Sequence, residues 1–264
     1  MPEGDTVYLA ATRLDRALRG EILTRTDFRV PKYATLDLSH RAVLGVVSRG
    51  KHLLTRVAGG TTIHTHFRMD GAWHLYRPGE RWEGPAWQVR LLLETAKWQA
   101  VGFRLPVIDV LPTPEEASVV GHLGPDPLGD DWDAGEALRR LRADGARTIS
   151  DALLDQRVIA GLGNVYRCEL CFLRGLDPWT PVGEIVEAKA LVALAGRVLQ
   201  ANRGRGGHVT TGDDRPGQRH WVYGRRGRPC RRCATPIRYR TAPPGDDEER
   251  VTYWCPRCQQ RNGR

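Results

Sequence analysis

No stretch of this 264-residue sequence approaches the ~18 consecutive apolar residues of a membrane span. A transmembrane helix is therefore not expected. The opening Met1-Pro2-Glu3-Gly4-Asp5 is acidic and has no apolar core, so it does not read as a signal peptide. The expectation is a cytoplasmic protein that makes no membrane contact. Hydrophobic residues supply only 41% of the chain, a lean share but enough for a core, and wholesale disorder is not indicated. No internal repeat is visible. Lysine is missing altogether from residues 201–264, which hold 15 Arg and 6 acidic residues, a net of +9. The whole chain also carries +9, so the first 200 residues are formally neutral. Arginine grips phosphate with two parallel hydrogen bonds, so excess charge confined to an arginine-rich end points to nucleic acid. A solvated basic tail is the plainer alternative.

The length allows two ordinary domains. Val7, Ala11, Leu14 and Leu18 share one face of a helix over about 5–19. From 21 to 112 the pattern changes to short strands, expected at 42–47, 53–57, 62–67, 72–76, 88–94, 98–103 and 107–111. Gly59-Gly60 reads as a two-residue hairpin turn. Such a series predicts an antiparallel sandwich or barrel, assigned to residues 1–112. Residues 113–131, rich in Pro, Gly and Asp, read as a linker. Helices are expected at 134–143, 148–155, 165–174 and 184–202, with a mobile Gly-rich loop at 203–220. Ile159-Ala160-Gly161-Leu162-Gly163-Asn164 reads as a sharp turn into an Asn-capped helix.

The six cysteines fall into three C-x2-C pairs. Cys230 and Cys233 are separated from Cys255 and Cys258 by a 21-residue spacer. Two such pairs can converge four thiolates on one structural Zn²⁺. Disulfides are the competing reading, disfavoured in a reducing compartment. The spacer suits a β-hairpin, with Ile237–Arg240 facing Val251–Trp254, so residues 221–264 read as a zinc finger following a helical domain at 132–220. Cys168 and Cys171 lie three apart on one predicted helix face with no second pair nearby, and read as small core residues.

Three segments together resemble one family, the formamidopyrimidine-DNA glycosylases and endonuclease VIII enzymes of base-excision repair. They are Pro2-Glu3-Gly4-Asp5, the run Asp155–Tyr166, and Val222-Tyr223-Gly224-Arg225 leading into the cysteine hairpin. The run 155–166 looks like that family's helix–two-turn–helix motif. The resemblance implies an α+β protein: an N-terminal antiparallel β-sandwich with a leading helix, then a helical domain with the helix–two-turn–helix and a zinc β-hairpin finger. It also implies a monomer acting on double-stranded DNA that contains oxidised bases or abasic sites, and a bifunctional activity of base removal followed by strand cleavage. The Pro-Glu-Gly opening is more similar to the endonuclease VIII branch, which favours oxidised pyrimidines.

Carried over residue by residue, the resemblance makes Pro2, Glu3, Lys51 and Arg250 the expected catalytic set. Once Met1 is removed, Pro2 offers a terminal amine, with an ordinary pKa of about 7.7–8 against about 10.4 for lysine, so more of it is nucleophilic near neutrality. Glu3 is the expected proton donor to the opening sugar. Lys51 matches the family's hairpin lysine, beside a phosphate of the lesion. Asn164 and Arg250 match a pair that pinches the backbone. Met69 is the expected plug for the hole left by a flipped base, against a plain reading as a core methionine. Arg68 is the expected partner of the widowed base. Two positions depart from the family pattern: a second N-terminal acid falls on Thr6, and Asp70 replaces a bulkier neighbour of the wedge. A non-catalytic damaged-DNA-binding protein on the same scaffold and an oxidised-purine glycosylase are the alternatives. A zinc-ribbon accessory protein would leave Pro2-Glu3 and the central motif unexplained.

Overall fold

Val7, Ala11, Leu14 and Leu18 recur every three or four residues, and in the computed structural model they form one buried stripe of helix α1 (Gly4–Leu18). The structure describes residues 2–241 and 251–260. Glu3 is the extended residue at the helix head, and Asp5 in the first turn places negative charge where the helix dipole favours it. Two units divide the chain, Met1–His122 and Leu123–Arg264.

The first unit continues with β1 (Leu23–Phe28), β2 (Val43–Arg49), β3 (His52–Val57), β4 (Thr61–His66), β5 (Ala72–Tyr76), β6 (Val89–Thr95), β7 (Gln99–Phe103) and β8 (Val107–Pro112). They form two antiparallel sheets ordered β1-β6-β7-β5 and β2-β3-β4-β8. The sandwich is thus the expected one, with β1 an additional strand. Its core joins the α1 stripe to Leu53, Val57 and Ile63 of one sheet and Leu23, Leu91 and Leu93 of the other. The run Leu91-Leu92-Leu93 shows why β6 lacks a polar face. Leu91 and Leu93 enter the sandwich core, while Leu92 joins Tyr76, Val101 and Phe103 in a second cluster covered by Trp82.

The β3–β4 turn is three residues long, with Val57 opposite Thr61. Gly59 and Gly60 both take positive φ there (87° and 70°), as a tight hairpin demands. A short helix, α2 (Ala117–Val120), follows the sheet. Just before it, Glu116 accepts two hydrogen bonds from Arg56 (2.9 and 2.8 Å) and one from Thr62 (2.7 Å).

The second unit holds α3 (Ala134–Arg142), α4 (Ile149–Leu154), α5 (Asn164–Leu173) and α6 (Ala188–Asn202). Asp133 caps α3 and Thr148 caps α4 through their side-chain oxygens. Helix α6 starts four residues later than its pattern suggested, because Val182–Glu184 behind Pro181 form a separate 3-10 turn. Strands β9 (Arg238–Arg240) and β10 (Thr252–Trp254) pair antiparallel with Tyr239 opposite Tyr253, as the spacer predicted. Residues 203–220 form no helix or strand, and Asn202 and Val209 exchange two hydrogen bonds (2.9 and 2.7 Å) across their first part. Among the described residues no helix is long and apolar enough to cross a membrane.

Candidate active site

The first unit carries its candidate residues at the head of α1 and in two hairpin turns. Glu3 is fully buried at the head of α1, where its carbonyl accepts from the Val7 amide (3.1 Å). Asp5 is buried beside it and accepts from the Thr6 amide (2.8 Å). Pro2, half-buried, lines a cleft of roughly 500 Å³ together with Phe67 and Gly71. Those two residues bracket the β4–β5 turn that carries Arg68, Met69 and Asp70. Gly71 is required there: a Cβ would stand 2.8 Å from the Phe67 carbonyl oxygen. Arg68 adopts φ +44°, and its amide donates to His66 Nδ1 (3.0 Å). Met69 is 49% exposed, so it is no core residue. The pairing of His52 with His66 sets the β2–β3 turn, with Gly50 at φ +56° and half-buried Lys51, at the same end of its sheet as the β4–β5 turn.

Behind Lys51 lies a histidine cluster that sequence reading missed. His52 Nδ1 and His64 Nε2 are 2.8 Å apart, and Asp109 Oδ2 stands 3.8 Å from His64 Nδ1. The rings of His66 and His122 meet His52 edge-on at 4.9 and 6.1 Å. Burial, aided by His66, His64, His122 and Lys51, pushes His52 down to about 3. Burial also lowers His64, although Asp109 opposes it. The bond between the two rings needs one neutral imidazole to accept, and burial holds both rings toward the uncharged form.

In the second unit the motif 155–166 forms the turn it promised. Gln156 holds it from inside, donating to the carbonyls of Leu154 and Leu162 (2.9 and 2.7 Å) and accepting from the Gly161 amide (3.0 Å). Gly161 sits at φ +91°. The cap of α5 is Gly163, one residue earlier than expected, and Asn164 is the first helical residue. Its Nδ2 donates to the carbonyl of Val251 (3.1 Å), freed from capping duty by the extended Gly163. Buried Arg167 reaches the same strand, donating to Thr252 Oγ1 (2.9 Å). Arg250 lies outside the described residues.

Helix α5 is buried on every side, and the two cysteines expected on one face serve two cores. Cys171 packs among the helices, whereas Cys168 packs with Phe172, Val222, Cys230 and Cys255. Burial raises both thiols, Cys171 to about 12, which keeps them protonated. Between them Glu169, fully buried, accepts from the amides of Trp221, Val222 and Tyr223 (2.8, 2.9 and 2.8 Å) and from the Thr210 hydroxyl. No sequence signal announced this, since its partners lie 41 to 54 residues away.

The sulfurs of Cys230, Cys233, Cys255 and Cys258 all lie within 4.8 Å of one another. Cys230 to Cys258 is 3.9 Å and Cys233 to Cys255 is 3.5 Å. Four thiolates around one ion, each at ~2.3 Å, stand ~3.8 Å apart in a tetrahedron. The donor set therefore fits a single metal ion. Gln259 stiffens one side of it by accepting from the Cys255 amide (2.8 Å).

A β-sandwich headed by a helix with proline and glutamate before it, a helix–two-turn–helix and a four-cysteine hairpin define a class of DNA-repair glycosylase. Residues 1–105 match the formamidopyrimidine-DNA glycosylase N-terminal domain, and residues 123–211 match the formamidopyrimidine-DNA glycosylase H2TH domain. A protein of Streptomyces coelicolor named "Probable endonuclease 8 2" is 59% identical over 263 residues, 98% of this chain and 94% of its own. The "DNA-(apurinic or apyrimidinic site) lyase Nei2" of Mycolicibacterium smegmatis is 49% identical over 259 residues, 98% of this chain and 99% of its own. A crystal structure of Lactococcus lactis formamidopyrimidine-DNA glycosylase, bound non-covalently to DNA with an abasic site, superposes with a TM-score of 0.82. It covers 98% of this chain and 100% of that one at 23% identity, a likeness of fold. The chain belongs to the formamidopyrimidine-DNA glycosylase and endonuclease VIII family.

Proposed function

We propose that this DNA glycosylase and AP lyase of base-excision repair removes oxidised bases, pyrimidines foremost, with the amine of Pro2 as nucleophile. The observation that carries the reading is Pro2 in the lining of a cleft, directly before a glutamate buried at the head of α1. After removal of Met1, the Pro2 nitrogen attacks C1′ of the damaged nucleotide. The C1′–N bond breaks, and the base leaves with its electron pair and takes up a proton. Glu3 protonates the sugar oxygen as the ring opens, leaving an iminium between Pro2 and C1′. That cation acidifies the C2′ proton, whose loss expels the 3′ phosphate; a second elimination expels the 5′ phosphate, and water returns the free amine.

Lys51 holds a phosphate near the reacting sugar, and Asn164 and Arg250 grip the backbone. The bond from Asn164 to Val251, the residue after Arg250 in the chain, supports their pairing. Met69 fills the gap in the stack and Arg68 faces the widowed base; exposure of Met69 in a glycine-ended turn favours this over a packing role. Preference for pyrimidines rests on the Pro2-Glu3-Gly4 opening. The four cysteines hold one Zn²⁺, which supplies structure to the hairpin and no chemistry. The protein works in the cytoplasm as a monomer on duplex DNA.

Borohydride reduction tests this. Protein with Met1 removed, verified by mass, should become covalently linked to DNA carrying dihydrouracil or thymine glycol, and more slowly to 8-oxoguanine DNA. A non-catalytic binding protein would give no linked product on any lesion, and faster linkage to 8-oxoguanine would make it a purine enzyme.

A further inference from the structure

The cleft lined by Pro2 also runs along α1 and β5. One wall is a face of α1, Thr6, Leu9, Ala10 and Arg13, which reaches down to the core residue Leu14. The other wall is all of β5, five consecutive residues from Ala72 to Tyr76. Successive side chains of a strand point to opposite faces, so a cavity touched by five in a row borders the edge of the strand and not one face. In the sheet order β1-β6-β7-β5 that edge carries no further strand among the described residues. On such an edge alternate residues present an N–H and a C=O side by side.

A cyclic amide presents the complementary pair, a C=O beside an N–H, in one plane. Oxidised and saturated pyrimidines carry that group, as does the oxidised imidazole ring of a purine. The walls suit a flat or nearly flat ring. Trp73 is fixed by its hydrogen bond to Thr65 (3.3 Å), and the Tyr76 hydroxyl accepts from the Glu83 amide (3.1 Å). A volume of roughly 500 Å³ exceeds what one base fills, leaving room for the base and its water. His74 and Glu83, 3.7 Å apart, supply polarity at the rim.

We propose that the cleft between α1 and the free edge of β5 is a seat for the released base, held by its cyclic amide against the strand edge. The identity of the ligand rests on the glycosylase reading above; the shape of the seat does not. A base seated there has left the reacting sugar, so it no longer competes with water and phosphate loss at C1′.

Saturation-transfer NMR with free 5,6-dihydrouracil and its 1,3-dimethyl derivative tests the seat on the whole protein. Dihydrouracil should bind saturably, and the dimethyl compound about tenfold more weakly or worse, since methylation removes the donor. Leu9→Trp, which fills the α1 side, should abolish binding, and Leu9→Ala should keep it. Equal binding of the two compounds, or full binding by L9W, overturns the proposal; the ligand pair alone decides if L9W does not fold. Borohydride trapping on abasic-site DNA separates the two readings. Trapping with no amide-dependent binding removes the seat alone, while failure to trap removes the activity from which the ligand was named.

Discussion

Glu3 has no exposed surface at the head of α1, directly after the proline assigned as nucleophile. Its assigned task, giving a proton to the sugar oxygen, belongs to the step in which the base still departs. Glu3→Gln keeps the shape and loses the proton. Excision from an intact lesion should fall by about 10²–10⁴-fold, with a smaller loss of trapping on a preformed abasic site. Single-turnover kinetics on both substrates check this; equal losses would give Glu3 a structural part only. Single residues were legible in the sequence where chemistry is tied to spacing, as with Cys230, Cys233, Cys255 and Cys258. Asn164 was legible as a helix start but not as the residue that holds Val251.

At the scale of elements, the hairpins and helices matched their patterns wherever apolar residues alternated or recurred. β1 carries apolar residues only at its two ends, Leu23 and Phe28, so it has no alternation to read. The His52–His64 contact depends on the β3–β4 register, which places two strands side by side and cannot be seen from a spacing of twelve. Its neutrality has a pH signature. His52 titrates near 3 in the fold against an ordinary 6.5, so the native state resists its protonation. Stability is then full above pH 6.5 and declines as pH falls from there toward 3. Thermal unfolding at pH 7.5 and pH 5 should differ, with His52 contributing on the order of 1–2 kcal/mol, and His52→Gln should shrink the difference. An unchanged difference would assign it to other groups.

Glu169 is the second element-scale device, one carboxylate collecting the Thr210 hydroxyl from within 203–220 and the amides of Trp221, Val222 and Tyr223 just after it. Glu169→Ala leaves those donors without their acceptor, Val222 fully buried among them, and a loss of about 1–3 kcal/mol is expected. Limited proteolysis should then cut within 203–220 before any other segment. Cutting elsewhere first would mean the carboxylate does not anchor the loop. Nothing local in the sequence marks Glu169, because its role is defined entirely by distant chain.

For the whole molecule, the excess charge and the four-cysteine cluster belong to the same quarter of the chain. Replacing Cys255 with Ala should loosen the hairpin and weaken binding to any DNA, lesion or not. Filter binding on undamaged duplex checks this; unchanged affinity would separate the hairpin from DNA contact. The sandwich and helices were foreseeable from pattern at this scale, whereas the sharing of α5 between two cores was not. A helix buried all round offers no polar stripe to orient it, and only the structure assigns Cys171 to one core and Cys168 to the other.

That shared helix makes two ligands thermodynamic partners. Asn164 at its head touches the return strand of the hairpin, and Cys168 one turn later lies against Cys230 and Cys255 of the four-cysteine cluster. If the metal orders the hairpin for DNA, reciprocity requires DNA to hold the metal by the same factor. Bound duplex should therefore slow extraction of the ion by a chelator, and the slowing should vanish in Asn164→Ala. The ion's residence time would then read out DNA occupancy at a site where it takes no part in the chemistry.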